Sequence, residues 1–104
     1  MNEYSYELTP SAVRDLEGIA EYVTIQLCAK ESALALLDEI EAAIVAACRF
    51  PEAAPLVTDA LLARKGYRKL IVKNYLVFYI PDHNARTINV MRVMYFAKDY
   101  LREL

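Results

Sequence analysis

The first half of the chain carries one short alternating segment, followed by two longer segments with helical periodicity. Residues 3–8, EYSYEL, place two tyrosines and a leucine on one side, which predicts a half-buried strand. Thr9 and Pro10 favour a helix start, because a threonine side chain bonds free N–H groups and proline needs no donor in the first turn. Apolar residues then recur three or four positions apart over 10–28 and 31–48, which predicts two amphipathic helices joined as a hairpin.

The apolar stripes of these two helices are the candidate core on the helical side. For the first helix the expected stripe is Val13, Leu16, Ala20, Val23 and Leu27. For the second it is Ala33, Leu37, Ile40, Ile44 and Ala47, widened by Leu34, Leu36 and Ala43.

The second half of the chain changes to the periodicity of strands. Pro51 and Pro55 end helical order, and the segment 49–66 is irregular apart from one expected helical turn at 59–64. Three β-rich runs follow, and the last segment is long enough for two helical turns; these are 67–72, 75–80, 87–95 and 96–104.

The order of elements, β-α-α-β-β-β-α, predicts an α+β fold. We expect an N-terminal strand, a helical hairpin packed on a mainly antiparallel four-stranded sheet, and a short C-terminal helix. Lys73-Asn74 predicts a tight hairpin, because asparagine tolerates positive φ, and the segment 81–84 predicts a second turn. With 104 residues and no linker, the whole chain, 1–104, is expected to be a single domain.

Composition and charge narrow the function classes. The chain is 57% hydrophobic and has a formal net charge of −2, so binding nucleic acid with the whole surface is disfavoured, although a local basic patch remains compatible. No apolar run approaches the roughly 20 residues that span a bilayer. The first residues also lack the pattern of a signal peptide, so we expect a cytoplasmic protein without membrane contact.

Few residues in this sequence are suited to metals or cofactors. Cys28 and Cys48 lie far apart, and both fall in helical patterns, so buried free thiols are expected. With His83 as the one histidine, we expect no metal site, and the lack of a Gly-rich phosphate loop gives no reason to expect a cofactor. For His83 itself, a solvated turn residue and a general base are the two alternatives.

Basic residues are the more informative candidates. In a strand, neighbouring side chains alternate between faces, so Arg68 and Lys69 are expected on opposite faces, with the core on one face and a basic, aromatic surface on the other. Arg92 lies in the middle of the last strand, where an unpaired charge would be costly if buried. Its two alternatives are a structural ion pair with a helix carboxylate and phosphate binding at an open face.

These residue types are suited to chemistry on RNA. Cleavage needs a group that takes the 2′-hydroxyl proton and cations that stabilise the charge developing on the phosphate. Tyrosine could transfer the proton or stack on a base, while arginine and lysine supply the charge. The candidate catalytic residues are Arg68, Arg92, Tyr95 and Lys98, and the candidate substrate-binding residues are Lys69, Lys73, Arg64 and Arg102.

The whole chain resembles the RelE/ParE superfamily of toxins from type II toxin–antitoxin modules. The resemblance rests on the order and spacing of four segments: LTPSAVRDLEGIAEYV (8–23), FPEAAP (50–55), YRKLIVKNYLVFYI (67–80) and INVMRVMYFAKDYL (88–101). Arg68 matches a basic strand position that RNA-cleaving members use, and Lys98 matches the second basic residue of the family's terminal Gly-Arg-Arg pattern. Tyr95 stands where relatives often have histidine, and Leu76 where many nucleases have arginine.

The resemblance implies a small bacterial toxin that a cognate antitoxin neutralises. RelE-like members cut mRNA on the ribosome, whereas ParE-like members poison DNA gyrase and are not nucleases. Our first hypothesis is ribosome-dependent mRNA cleavage, which would make the protein an endoribonuclease. Gyrase inhibition without nuclease activity is the alternative, and a catalytically degenerate member that only binds its antitoxin is the third.

Overall fold

The structure, a computed structural model that describes residues 3–96 and Leu104, contains four strands and three α-helices. The elements in chain order are β1 Ser5–Leu8, α1 Pro10–Glu21, a π-helical segment Tyr22–Gln26, α2 Lys30–Arg49, α3 Ala60–Arg64, β2 Arg68–Val72, β3 Tyr75–Asp82 and β4 Thr87–Tyr95. The sheet has the order β1-β4-β3-β2; β1 runs parallel to β4, and the other two pairs are antiparallel. The predicted fold class is confirmed. The predicted C-terminal helix falls mostly on residues 97–103, outside the described residues.

The first helix begins as the sequence predicts and ends in an altered geometry. The Thr9 hydroxyl accepts a hydrogen bond from the backbone N–H of Ala12 at 3.1 Å, and Pro10 is the first helical residue. From Tyr22 onward the winding is π-helical, over a segment that contains three consecutive β-branched residues, which fit a regular helix poorly. Cys28, with φ of 51°, ends the helix, so the predicted extent of 10–28 is two residues too long.

Helices α1 and α2 cover one face of the sheet, and the buried stripe of α1 differs from the predicted one. Ala12 is fully buried, and Leu16, Ile19 and Val23 continue its side of the helix. Val13 and Leu27, expected in the core, are exposed, and so is Leu34 of α2. The helix therefore meets β4 through a face displaced by one position, which the spacing of apolar residues alone does not determine.

Much of the other face of the sheet is also buried, which limits the expected basic surface to the β2 edge. Helix α3 and the segment leading into β2 cover it, and the cluster consists of Val57, Leu62, Tyr67, Leu76, Phe78 and Met94. The predicted helical turn at 59–64 supplies Leu62, and the Asp59 side chain caps it by accepting from the Leu62 N–H at 3.0 Å. Phe78 is fully buried in this second cluster.

A β-bulge interrupts the pairing of β3 with β4. Phe78 lies opposite Arg92 and Tyr79 lies opposite Val90, so Met91 has no opposite residue on β3. Before the bulge, Val90 faces the helices; after it, Val93 does so, while Met91 packs on the other face. The alternation of β4 therefore changes phase at Met91.

Two smaller expectations are also corrected. In the β2–β3 hairpin the residue with positive φ is Lys73, at 54°, rather than Asn74. The Lys73 ammonium also contacts the Glu39 carboxylate at 3.3 Å, which links this turn to α2. Of the two cysteines expected to be buried, Cys48 is buried and Cys28 is exposed, because Cys28 lies beyond the end of the helix.

Tyr79 is the largest fully buried side chain, and we expect it to make the fold sensitive to alkaline pH. Its hydroxyl donates to the Pro51 carbonyl at 2.8 Å, and burial raises the pKa of Tyr79 above its ordinary value of 10.0. The folded state thus favours the neutral phenol. The resulting stabilisation is fully present below the pKa that Tyr79 has in the unfolded chain, and it is lost as the pH rises through the pKa of Tyr79 in the folded state.

The Tyr79→Phe variant should accordingly lose less stability than the wild type between neutral pH and about pH 10.5, measured as the midpoint of urea unfolding. At neutral pH it should be less stable by about 1 kcal/mol, because the Pro51 carbonyl loses its donor. The exposed Tyr95→Phe variant is the control and should keep the alkaline loss of the wild type. Equal alkaline losses in all three proteins would contradict the role given to Tyr79.

Within the part of the chain that the structure describes, none of the helices combines the length and the hydrophobicity that crossing a membrane requires.

Candidate functional site

The candidate site lies along the part of β4 that β1 does not cover. Pairing between these strands ends at Leu8 and Val90, and the Thr9 N–H then donates to the Val90 carbonyl at 3.0 Å. The Thr9 hydroxyl donates to the Met91 carbonyl at 2.8 Å. One threonine therefore caps α1 and also bonds to the next stretch of the β4 edge.

Asp15 of α1 continues this cover of the β4 edge. Its carboxylate accepts from the Arg92 guanidinium at two points, with Nε–Oδ2 at 2.7 Å and Nη2–Oδ1 at 3.0 Å, and from the Val93 N–H at 2.9 Å. The side chains of Asp15 and Arg92 are only 15% and 19% exposed. This is the structural ion pair expected as one alternative for Arg92, and its paired geometry fixes α1 on the sheet.

Beyond the ion pair, β4 ends in an open cleft rich in tyrosine. The cleft has a volume of about 700 Å³, and we call it the tyrosine cleft; its lining includes Arg14, Tyr22, Leu27, Asn74, Tyr75 and Tyr95. The rings of Tyr75 and Tyr95 meet edge to face with centroids 5.7 Å apart. The Phe96 N–H donates to the Asn74 carbonyl at 2.6 Å, which ties the end of β4 to the β2–β3 turn.

The chemistry of the tyrosine cleft is suited to hydrogen-bond donation and to contacts with aromatic rings. Burial raises the pKa of Tyr75 above its ordinary value, and the neighbouring Tyr95 and Tyr22 raise it further. The Tyr75 phenol therefore stays neutral near pH 7 and can donate a hydrogen bond but cannot act as a base. Tyr22 and Tyr95 are each 53% exposed, so their rings are available to a partner.

Arg68 lies at the other end of the sheet and has partners of its own. It is the first residue of β2, opposite Tyr79, and its Nη1 donates to the carbonyls of Ala54 at 2.6 Å and Glu52 at 3.2 Å. The Tyr79 hydroxyl bonds the same loop at Pro51. Arg68 thus holds the loop that follows α2 against the sheet.

The structure does not bring the described candidate catalytic residues together. Tyr95 lies opposite Tyr75, whereas Arg68 lies opposite Tyr79, four residues further along β3, which is about 13 Å. Arg92 lies between these levels, bound to Asp15.

The candidate substrate-binding residues are also dispersed. As predicted, Lys69 and Arg68 belong to opposite faces, because Lys69 lies opposite Phe78 of the second cluster. Lys73 pairs with Glu39, and Arg64 is exposed at the end of α3. Lys98 and Arg102 lie outside the described residues.

Some residues of the site were not identified from the sequence. Tyr22 belongs to a predicted helix and Tyr75 to a predicted strand, and nothing in their spacing indicates that they meet. Asp15 belongs to a segment that carries the family resemblance, but the helix carboxylate considered as a partner of Arg92 was not assigned to it. A signal was available for Tyr22, because an exposed tyrosine on a helix is a frequent recognition residue.

In the described part of the chain, side chains that could bind a metal ion do not lie close together. Among residues 3–96, no three histidine, cysteine, aspartate or glutamate side chains are placed to hold one ion.

One family of sequences matches most of the chain. The family is described as the ParE toxin of the type II toxin–antitoxin system parDE, and its model matches residues 6–100. The chain belongs to the ParE toxin family. The resemblance to the RelE/ParE superfamily is thereby confirmed, and the protein is the toxin of a type II toxin–antitoxin system. No curated protein sequence matches this toxin at a significant level.

Two solved structures have a fold similar to that of the toxin. A chain of the chromosomal ParDE toxin–antitoxin system from P. aeruginosa is 17% identical, with a TM-score of 0.71, over 91% of this chain and 98% of that one. A chain of the RelBE2 toxin–antitoxin complex from Mycobacterium tuberculosis is 19% identical, with a TM-score of 0.61, over 89% and 98%. At these identities the similarity establishes the fold.

Proposed function

We propose that this toxin inhibits DNA gyrase by binding to it and that it does not cleave RNA. The observation that carries the proposal is the engagement of its two described candidate catalytic arginines. Arg92 holds Asp15 through two hydrogen bonds, and Arg68 holds the carbonyls of Glu52 and Ala54. A guanidinium that binds a phosphate in the transition state would first have to leave these partners, and the toxin would lose the contacts that anchor α1 and the loop after α2.

The membership in the ParE family supports the same proposal, because ParE-like toxins act on gyrase. The shape of the tyrosine cleft agrees with it as well. Exposed tyrosines beside an apolar wall are typical of protein–protein contacts, and the neutral Tyr75 is not suited to take a proton.

Ribosome-dependent mRNA cleavage is the second candidate function, because one cluster of basic residues remains available to bind RNA. Within residues 3–96, Arg64, Lys65 and Lys69 carry no ion pair, and they lie at the end of α3 and the start of β2. Such a group could contact the phosphates of an RNA. Lys98, the remaining basic residue among the candidate catalytic residues, would have to supply the charge at the scissile phosphate.

One pair of assays separates the two candidates. Purified toxin is incubated with bacterial gyrase and supercoiled plasmid, and separately with ribosomes stalled on a defined message. We expect DNA cleaved in a covalent complex with gyrase, and an intact message. The control is the toxin bound to its antitoxin, which should be inactive in both assays. A cut message together with unaffected gyrase would refute the gyrase proposal in favour of the nuclease.

We further propose that the cognate antitoxin covers the tyrosine cleft. Leu27 and Ile25 are exposed next to Tyr22, so the cleft continues into an apolar surface on the π-helical segment. A contiguous apolar surface of this kind is unfavourable in water and marks a site that a partner buries. Both similar structures come from toxin–antitoxin systems, which supports a protein partner.

Leu27→Ala is expected to weaken antitoxin binding by roughly tenfold or more, because a buried leucine contributes about 1.5–3 kcal/mol to an interface. The matched control is Leu61→Ala on α3, since Leu61 and Leu27 are similarly exposed, at 59% and 56%. Titration calorimetry with purified antitoxin measures both affinities. If the two variants bind the antitoxin equally well, the antitoxin does not cover this cleft.

A further inference from the structure

Three polar side chains from distant parts of the chain meet at the end of the sheet opposite the tyrosine cleft. The Tyr4 hydroxyl lies 2.6 Å from Nδ1 of His83, and Nε2 of His83 lies 3.1 Å from Oε2 of Glu52. Tyr4 precedes β1, Glu52 lies in the loop after α2, and His83 lies in the turn between β3 and β4. The nine residues of β4 separate this cluster from the tyrosine cleft by roughly 25 Å.

The backbone holds the cluster in place. The Tyr4 N–H donates to the Cys48 carbonyl at 2.9 Å, which fixes the start of β1 against the end of α2. The turn carrying His83 is closed by Asp82, whose carboxylate accepts from the N–H groups of Asn84 at 3.0 Å and Ala85 at 3.1 Å. The rings of Tyr4 and His83 also meet edge to face, at 78°.

The distances determine where the protons lie in the neutral cluster. An ionised carboxylate only accepts hydrogen bonds, so Nε2 of His83 must carry the proton that bonds Glu52. The other nitrogen of a neutral imidazole is then an acceptor, so the Tyr4 hydroxyl donates to Nδ1. A hydroxyl that donates to an imidazole, which in turn donates to a carboxylate, is the arrangement that activates a nucleophile.

We propose that Tyr4 is a nucleophile that accepts acyl groups from activated esters. The phenolic oxygen forms a bond to the acyl carbon as its proton passes to Nδ1 of His83. The bond from the acyl carbon to the leaving oxygen breaks, and the leaving group departs as an anion. The products are an O-acyl tyrosine and an imidazolium that Glu52 stabilises until the imidazolium returns its proton to water.

The surroundings of Tyr4 admit a small ester. The three residues line an open cleft of about 540 Å³, in which Phe50 presents an exposed apolar ring. Arg49 lines the same cleft, but Glu3 binds its Nε at 2.9 Å. The cleft is therefore suited to a short, uncharged or aromatic ester rather than to a large anionic one. His83, for which a solvated turn residue and a general base were the alternatives, is the general base in this proposal.

The test uses the full chain and para-nitrophenyl acetate as the probe. Release of nitrophenolate is followed at neutral pH, and peptide mass spectrometry locates the acetyl group. Tyr4 should be acetylated roughly tenfold or more faster than Tyr22, a tyrosine that is also accessible but has no histidine partner. Equal labelling of the two tyrosines would overturn the proposal.

Variants of the imidazole give an independent readout. His83→Ala should reduce labelling of Tyr4 to the level of Tyr22, and free imidazole in solution should restore it, because the site is open to solvent. The thermal unfolding midpoint should not change, since His83 lies in an exposed turn. Labelling of Tyr4 at the wild-type rate in His83→Ala would show that the imidazole takes no proton and would refute the mechanism.

Glu52 is a positioning residue in this proposal. Glu52→Gln should slow acetylation of Tyr4 several-fold, and Glu52→Asp should recover part of the rate, because it retains a carboxylate near Nε2. The matched control is Glu3→Gln, since Glu3 is a glutamate of the same surface whose partner is Arg49. If Tyr4 is acetylated at equal rates in the Glu52→Gln and Glu3→Gln variants, Glu52 does not orient His83.

Discussion

Replacing Asp15 with alanine is expected to destabilise the toxin by about 3 kcal/mol, because the change leaves a mostly buried guanidinium without its carboxylate. Arg92 loses two hydrogen bonds, at 2.7 and 3.0 Å, and the Val93 N–H loses its acceptor. Urea unfolding followed by circular dichroism gives the free energy of unfolding. For a small domain this loss is a large fraction of the total stability.

Two further variants test the cause of this loss. Asp15→Asn keeps an oxygen for the Val93 N–H but removes the charge, so its loss should be intermediate. Glu17→Ala removes an exposed carboxylate from the same helix and should change the free energy by no more than about 0.5 kcal/mol. If Asp15→Ala were as mild as Glu17→Ala, the ion pair could not be what fixes α1 on β4.

Truncating Phe78 to alanine should be the most damaging single change, at about 3–5 kcal/mol. Phe78 is 0% exposed and lies in the cluster on the face that α3 covers. The remaining side chains there come from a short helix, two strands and the segments before α3 and β2, which limits how far they can close the cavity.

The measurement for Phe78→Ala is again the free energy of unfolding, with Phe50→Ala as the matched control. Phe50 is 66% exposed, so its truncation should change the stability by only about 0.5 kcal/mol. A small effect of Phe78→Ala would mean that the second cluster contributes little and that helices α1 and α2 supply nearly all of the core.

The sequence predicted the elements well because each depends on neighbouring residues. The helix start at Thr9 and Pro10 needs only a side-chain acceptor and a residue without a donor, and both are local. The alternation of β2 correctly separated Arg68 from Lys69 for the same reason. The buried face of α1 was predicted one position away from the observed one, because the approach of a helix to a sheet depends on distant residues.

The site was predictable only as a set of residue types. Asp15 and Arg92 are 77 positions apart, so the sequence could offer an ion pair only as one of two alternatives. Arg68 was placed on the correct strand, but its partners are backbone carbonyls of a loop, which have no sequence signature. Tyr4, His83 and Glu52 likewise belong to three separate segments that only the folded sheet brings together.

The bulge at Met91 has a consequence for how the length of this chain can vary. Val90 and Val93 both face the helices although two residues lie between them, because the bulge takes up the extra residue. Deleting one of these two residues would remove the bulge and leave both valines on the helix face, whereas deleting one residue elsewhere in β4 would turn the residues beyond it to the opposite face. Deletions that the fold tolerates are therefore expected at the bulge and in the two turns that flank β3, but not elsewhere in β4.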